Sequence, residues 1–134
     1  MKKTIVFIFI ASVLFSFVSC TSVKEIPTDL TASQLLQNGQ TALGNGNYKV
    51  AEQYFTTTIQ RYGMDTQIYV EAKYELGHLY MKKKNYEKAY ENFSEILEIY
   101  ENAPFGSLTP AHKKLTQLDM ARIPEDKLAE LQGR

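Results

Sequence analysis

The stretch NYEKAYENF, Asn85 to Phe93, restates NYKVAEQYF, Asn47 to Phe55, thirty-eight residues further along the chain. Asn, Tyr, Ala and Phe hold the same four places in both. Tyr, Ala and Phe fall at i, i+3 and i+7, which is one face of an α-helix. Each copy follows a turn, Gly44-Asn45-Gly46-Asn47 in the first case and Lys84-Asn85 in the second. Each turn follows an earlier helical stripe. Leu35, Leu36, Gly39, Ala42 and Leu43 form the first of these stripes, and Ala72, Leu76, Leu79 and Tyr80 the second.

The chain therefore spells helix, tight turn, helix, twice. Small residues stand where two helices must meet closely, Gly39 and Ala51 in one unit and Gly77 and Ala89 in the other. Without bulk at those points the axes approach the short end of the usual spacing, roughly 8 Å. Tyr and Phe fill the space around the contact. The second unit closes at the loop Asn102 to Thr109, which holds Pro104 and Gly106. A fifth helix is expected from Pro110 to about Ile123, with Thr109 as its cap and proline in its first turn. Its buried side is expected to be Ala111, Leu115 and Leu118, with Met120 or Ala121. Pro124 opens a last short helix with Glu125 and Asp126 in the first turn.

This pattern resembles the tetratricopeptide repeat, a helix pair with a period of about 34 residues. The second unit carries Leu76, Gly77, Tyr80, Ala89 and Phe93 at the motif positions. Lys73 stands where a large aromatic is usual, and Ile96 where the last Ala is usual. The first unit carries Leu35, Gly39, Ala51 and Phe55 but has Asn38, Ala42 and Thr58 at other motif positions, so it is degenerate. The four extra residues of the longer period fall around Asp65 to Tyr69. Lengthened repeats of this kind are similar to those of bacterial outer-membrane assembly lipoproteins and of periplasmic partners of the Tol–Pal and cell-wall machinery. The resemblance implies an all-α fold: a right-handed α-solenoid of two helix pairs, closed by a C-terminal helical cap.

The first twenty residues, MKKTIVFIFIASVLFSFVSC, read as an address. Lys2 and Lys3 form a positive start, and Ile5 to Val18 is an apolar run broken only by Ser12 and Ser16. That run is short for a membrane span, which needs about 20 apolar residues. Its end, FVSC, resembles a bacterial lipobox, with Phe17 in place of the usual Leu as in the relaxed lipoboxes of spirochaetes. Cys20 is the only cysteine and stands where that motif requires one. The resemblance implies lipidation of Cys20, cleavage before it, and an anchor to the inner or outer membrane of a bacterial envelope with the domain facing the periplasm. An ordinary secretory signal with an incidental cysteine is the alternative. The organisation is then a signal peptide at 1–19, a tether at 20–30, and a helical domain at 31–134 with repeats at about 32–65 and 70–103 and a cap at 109–132.

Composition narrows the chemistry. The chain has 15 basic and 15 acidic residues, so nothing argues for nucleic acid; removing Lys2 and Lys3 leaves a net charge of −2. His78 and His112 have no ligand partners at clear spacing, so no metal or other cofactor is expected. No nucleophile motif or phosphate loop occurs, and no catalytic residue is assigned. Glu71 and Glu75 lie one turn apart and read as a solvated edge. Tyr62, Tyr69 and Tyr100 sit near unit junctions and read as packing residues. Lys82 to Lys84 read as a solvated turn, with contact to anionic headgroups as the alternative.

Binding is the function left standing. The resemblance implies a concave stripe on the first helix of each unit: Leu36, Gln40 and Leu43, then Tyr74, His78, Met81 and Lys82. Tyr74, His78 and Met81 also share one helical face by spacing. The expected partner is a protein or peptide of the envelope. The alternative is that the cap helix covers this stripe. An accessory lipoprotein holding a small hydrophobic ligand or peptide for a transport system is the second functional reading. Self-association through the degenerate first repeat is the third.

Overall fold

The computed structural model describes residues 25–133. The signal segment and Cys20 lie outside the described residues. Six helices follow one another: α1 (Ala32–Gly44), α2 (Tyr48–Tyr62), α3 (Thr66–Lys82), α4 (Tyr86–Asn102), α5 (Pro110–Met120) and α6 (Glu125–Gln132). The described residues contain no strand. The fold is all-α, with adjacent antiparallel pairs α1–α2 and α3–α4 packed as in a tetratricopeptide solenoid. α3 is the central helix and packs against α1, α2, α4 and α5.

The start of α1 is fixed by a capping box. Thr31 accepts from the Gln34 amide while the Gln34 side chain accepts from the Thr31 amide. Asp65 caps α3 by accepting from Gln67 and Ile68. α3 has 17 residues against 13 for α1, so the lengthened period is one extra turn at the start of α3. Thr109 does not cap α5 through its side chain. Its amide and hydroxyl both donate to Gln67 Oε1, at 3.0 and 3.2 Å, tying the loop to the start of α3 instead.

The two units repeat down to single atoms. A Cβ on Gly39 would lie 2.8 Å from Phe55 Cδ1, and one on Gly77 would lie 2.7 Å from Phe93 Cδ1. Each phenylalanine ring thus lies flush on a glycine of its partner helix, and both rings are fully buried. The turns repeat too. Gly46 N donates to Leu43 O and Asn47 N to Ala42 O, while Lys84 N donates to Met81 O and Asn85 N to Tyr80 O. Gly46 has φ 75° and Lys84 φ 56°, so both units make the same left-handed step. Glycine takes that step freely and lysine does not.

The core runs between the layers as Leu36, Leu43, Phe55, Val70, Leu79, Phe93 and Ile96, closed at one side by Ile123. The tyrosines brace the junctions around it. Tyr62 donates to Leu30 O (2.7 Å), Tyr100 to Thr109 O (2.5 Å) and Tyr69 to Glu95. Burial together with the Glu95 carboxylate pushes the Tyr69 hydroxyl up to about 12.

α5 packs on α3 and α4, the place a third unit's first helix would take. Its orientation corrects the expectation from its apolar residues. Leu115 and Leu118 are 40% and 50% exposed, and Ala111 and Ala121 are exposed as well. The buried residues are Thr116 and Asp119. Met120 is half-buried against the core. The wall it meets on α3 is polar, made of the Tyr74 hydroxyl and the His78 ring. A carboxylate, not a leucine, satisfies that wall.

Candidate docking face

The first-helix stripe divides on the structure. Leu36 and Leu43 are buried in the core, and Met81 packs half-buried against it. Lys82 is exposed beside the α3–α4 turn. Gln40, Tyr74 and His78 form the seams between successive first helices. Gln40 Nε2 donates to Glu75 Oε1 (2.7 Å), joining α1 to α3. His78 Nδ1 lies 2.7 Å from Asp119 Oδ2, and the Tyr74 hydroxyl donates to the same oxygen at 3.1 Å, joining α3 to α5. Gln40 and His78 are thirty-eight residues apart. At both seams this one motif position reaches a carboxylate on the next first helix.

The Asp119 seam is the more enclosed. Arg122 donates to the other carboxylate oxygen at 2.6 Å. Tyr74 stacks on His78 with ring centroids 6.0 Å apart and tilts against His112 at 5.8 Å. Burial and the Asp119 charge raise the Tyr74 hydroxyl well above the ordinary phenol value. It therefore stays a proton donor. α5 thus covers the Tyr74 and His78 part of the stripe.

The α1–α3 seam stays open to solvent. A groove of about 590 Å³ runs along it, lined by Leu36, Gln37, Gln40, Ile68 and Glu71, with Thr31 to Ser33 at its end. Glu75, which accepts from Gln40 across this seam, is no solvated edge, as its spacing with Glu71 suggested. Burial raises its carboxyl above the ordinary value, partly offset by the Gln40 amide. Leu36 and Gln40 of this lining were on the expected stripe, and Gln37, Ile68 and Glu71 were not. Ile68 belongs to the extra turn of α3, which has no counterpart in α1. The lengthened period was the one signal that pointed there.

No group of three or more metal-ligating side chains is present among the described residues, and no helix there is long and apolar enough to cross a membrane. What this arrangement can do is hold a chain segment. The groove offers an apolar floor strip and side-chain amides and a carboxylate at the rim, the chemistry of peptide recognition.

The fold defines a helical-repeat domain. Residues 70–103 match the tetratricopeptide repeat family. The match begins at Val70, after the extra turn of α3, and ends just past α4. An uncharacterized protein of Treponema pallidum (strain Nichols) is 30% identical over 110 residues, covering 82% of this chain and 44% of that protein. The chain thus spans less than half the length of that relative. No solved structure matches.

Proposed function

We propose that this protein is a non-catalytic adaptor, anchored to a bacterial envelope membrane through lipidated Cys20, that docks a protein partner in the α1–α3 groove. The open groove carries the proposal. A tetratricopeptide repeat suggests a protein-interaction scaffold, and this face is the part of the first-helix stripe that the cap leaves free. Its apolar strip, Leu36 and Ile68, suits a helix face or extended peptide. Gln37, Gln40 and Glu71 at the rim suit a partner with hydrogen-bond donors or a cation. The anchor is supported by the positive start, the apolar run and the position of the sole cysteine. The open shape favours a macromolecular segment over the small hydrophobic ligand of the second reading, which needs enclosure.

A photoreactive residue at Gln37, in the full chain expressed in its native envelope, tests the site. One specific crosslinked protein is expected, and Ile68→Arg should reduce its yield about tenfold, the effect of roughly 1.4 kcal/mol. An equal yield in both strains would move docking off the groove. Membrane fractionation of Cys20→Ser tests the anchor separately, with release to the soluble fraction expected.

A further inference from the structure

The described chain begins at one end of the bundle, here the proximal end. Arg61 pins it there, donating to Pro27 O (2.6 Å) and Ile26 O (3.1 Å), and Ile26 itself is buried. The same end carries the α2–α3 turn and the α4–α5 loop, which face each other across a cleft lined by Asp65, Gln67, Ala103 and Leu108. Each of these two segments holds out one large apolar side chain. Met64 is 99% exposed and Phe105 is 108% exposed. No other described large hydrophobic residue reaches that degree.

Neither side chain is on a loose strand. Met64 sits within a turn closed by Asp65 N donating to Tyr62 O (3.0 Å). Phe105 sits within a turn closed by the amide and hydroxyl of Ser107, both donating to Pro104 O. Single exposed apolar residues are ordinary. Two on separate hydrogen-bonded turns, at the end where a chain with a fourteen-residue apolar run and its sole cysteine joins the fold, have a common explanation.

We propose that Met64 and Phe105 dip into the surface of the lipid bilayer and hold the proximal end against it. The inference rests on the membrane-anchor reading above. Ile26 stands six residues after Cys20, a reach of roughly 20 Å when extended. A lipid on Cys20 therefore keeps this end, and not the distal one, at the bilayer. The partner surface is a zwitterionic bilayer. Asp65 follows Met64 directly and Glu101 stands in the last turn of α4, while Arg61 and Lys113 lie at the same end, so charges of both signs are present and give an anionic surface no advantage. Lys82 to Lys84 lie at the opposite, distal end, so the lysine run faces away from the membrane in this pose. Thr31 to Ser33, at the start of α1, then place one end of the α1–α3 groove toward the membrane.

The chain has no tryptophan, so a single one is a clean reporter. The full chain, isolated from bacterial membranes, is reconstituted in phosphatidylcholine vesicles with lipids brominated near the headgroup end of the acyl chain. Three variants are compared: Met64→Trp, Phe105→Trp and the distal Asn45→Trp. The two proximal reporters should be quenched at least about twofold more than the distal one, because an interfacial side chain sinks about 5–10 Å. Added phosphatidylserine should not increase the quenching. Equal quenching of all three in vesicle-bound protein overturns the pose while leaving the anchor intact. Flotation of Cys20→Ser equal to the parent overturns the lipid on Cys20 but not the pose. A parent chain that does not float with vesicles overturns both.

Discussion

At the residue scale the fold turns on two glycine–phenylalanine contacts. Gly39 meets Phe55 and Gly77 meets Phe93 with no room for a methyl group between them. Alanine is the better helix former by about 1 kcal/mol. Overpacking a closed contact costs about 1–3 kcal/mol. The steric cost wins because the ring is buried on all sides and has nowhere to turn. Gly77→Ala is therefore expected to destabilise the protein by about 1 kcal/mol net in urea denaturation. Adding Phe93→Leu should recover part of that loss, although Phe93→Leu alone is destabilising. A Gly77→Ala variant as stable as the parent would mean the ring can move aside. These residues were legible in the sequence because they recur at a fixed interval. What the interval did not convey is which small residue the ring covers. Both Ala89 and Gly77 are fully packed, but the phenylalanine lies on the glycine.

At the element scale α5 is the instructive case. Its start and position were legible, since Pro110 and the leucine spacing mark a helix, but it ends at Met120, short of the expected Ile123. Its inner face was not. Periodicity assigns the apolar side to the core, and here the core wall contributed by α3 is polar. Thr116 and Asp119 turn inward, and Leu115 and Leu118 remain half-exposed. The Thr116 hydroxyl is buried and meets no hydrogen-bond partner among the described residues. Thr116→Val keeps the shape and removes that unsatisfied group, so it should stabilise the protein by about 1 kcal/mol. Asp119 is the opposite case, since three side chains converge on it. Asp119→Ala should cost about 2–3 kcal/mol. Hydrogen exchange should then speed up in α5 before it does in α1 or α2. Uniform acceleration across all helices would show that α5 unfolds only with the whole. The α1–α3 groove was half legible for a related reason. Leu36 and Gln40 on α1 follow the motif, while Gln37 does not and Ile68 comes from a turn outside it.

At the scale of the whole molecule, three carboxylates give the stability opposing pH dependences. Burial raises Glu75 above its unfolded value. Its ionised form therefore weakens the fold at neutral pH, and that penalty lifts as the pH falls through the carboxylate range. Burial also acts to raise Glu52 and Glu95, but their partners outweigh it. Tyr80 and Lys83 lower Glu52, and Lys73 and Tyr69 lower Glu95. The stability these two supply is present above the ordinary value of 4.5 and is lost as acid protonates them. Glu75→Gln should thus be more stable than the parent at pH 7, with the advantage shrinking on acidification, while the acid loss from the other two remains. Urea midpoints across the pH range read both effects, and an advantage that grew toward acid would contradict the assignment.

The matching turns at Gly46 and Lys84 have a consequence for the denatured chain. The same left-handed step closes both helix pairs, yet it is disfavoured for different reasons. At Gly46 the folded conformation is relaxed, and the cost of about 0.5–1 kcal/mol lies in the extra freedom glycine has when unfolded. At Lys84 the unfolded chain is already restricted, and a cost of about 1–2 kcal/mol lies in the native backbone. The two pairs can thus have similar closing costs and still respond differently to conditions that expand or compact the denatured ensemble. The first turn gains most when that ensemble is confined. The second is nearly indifferent to it.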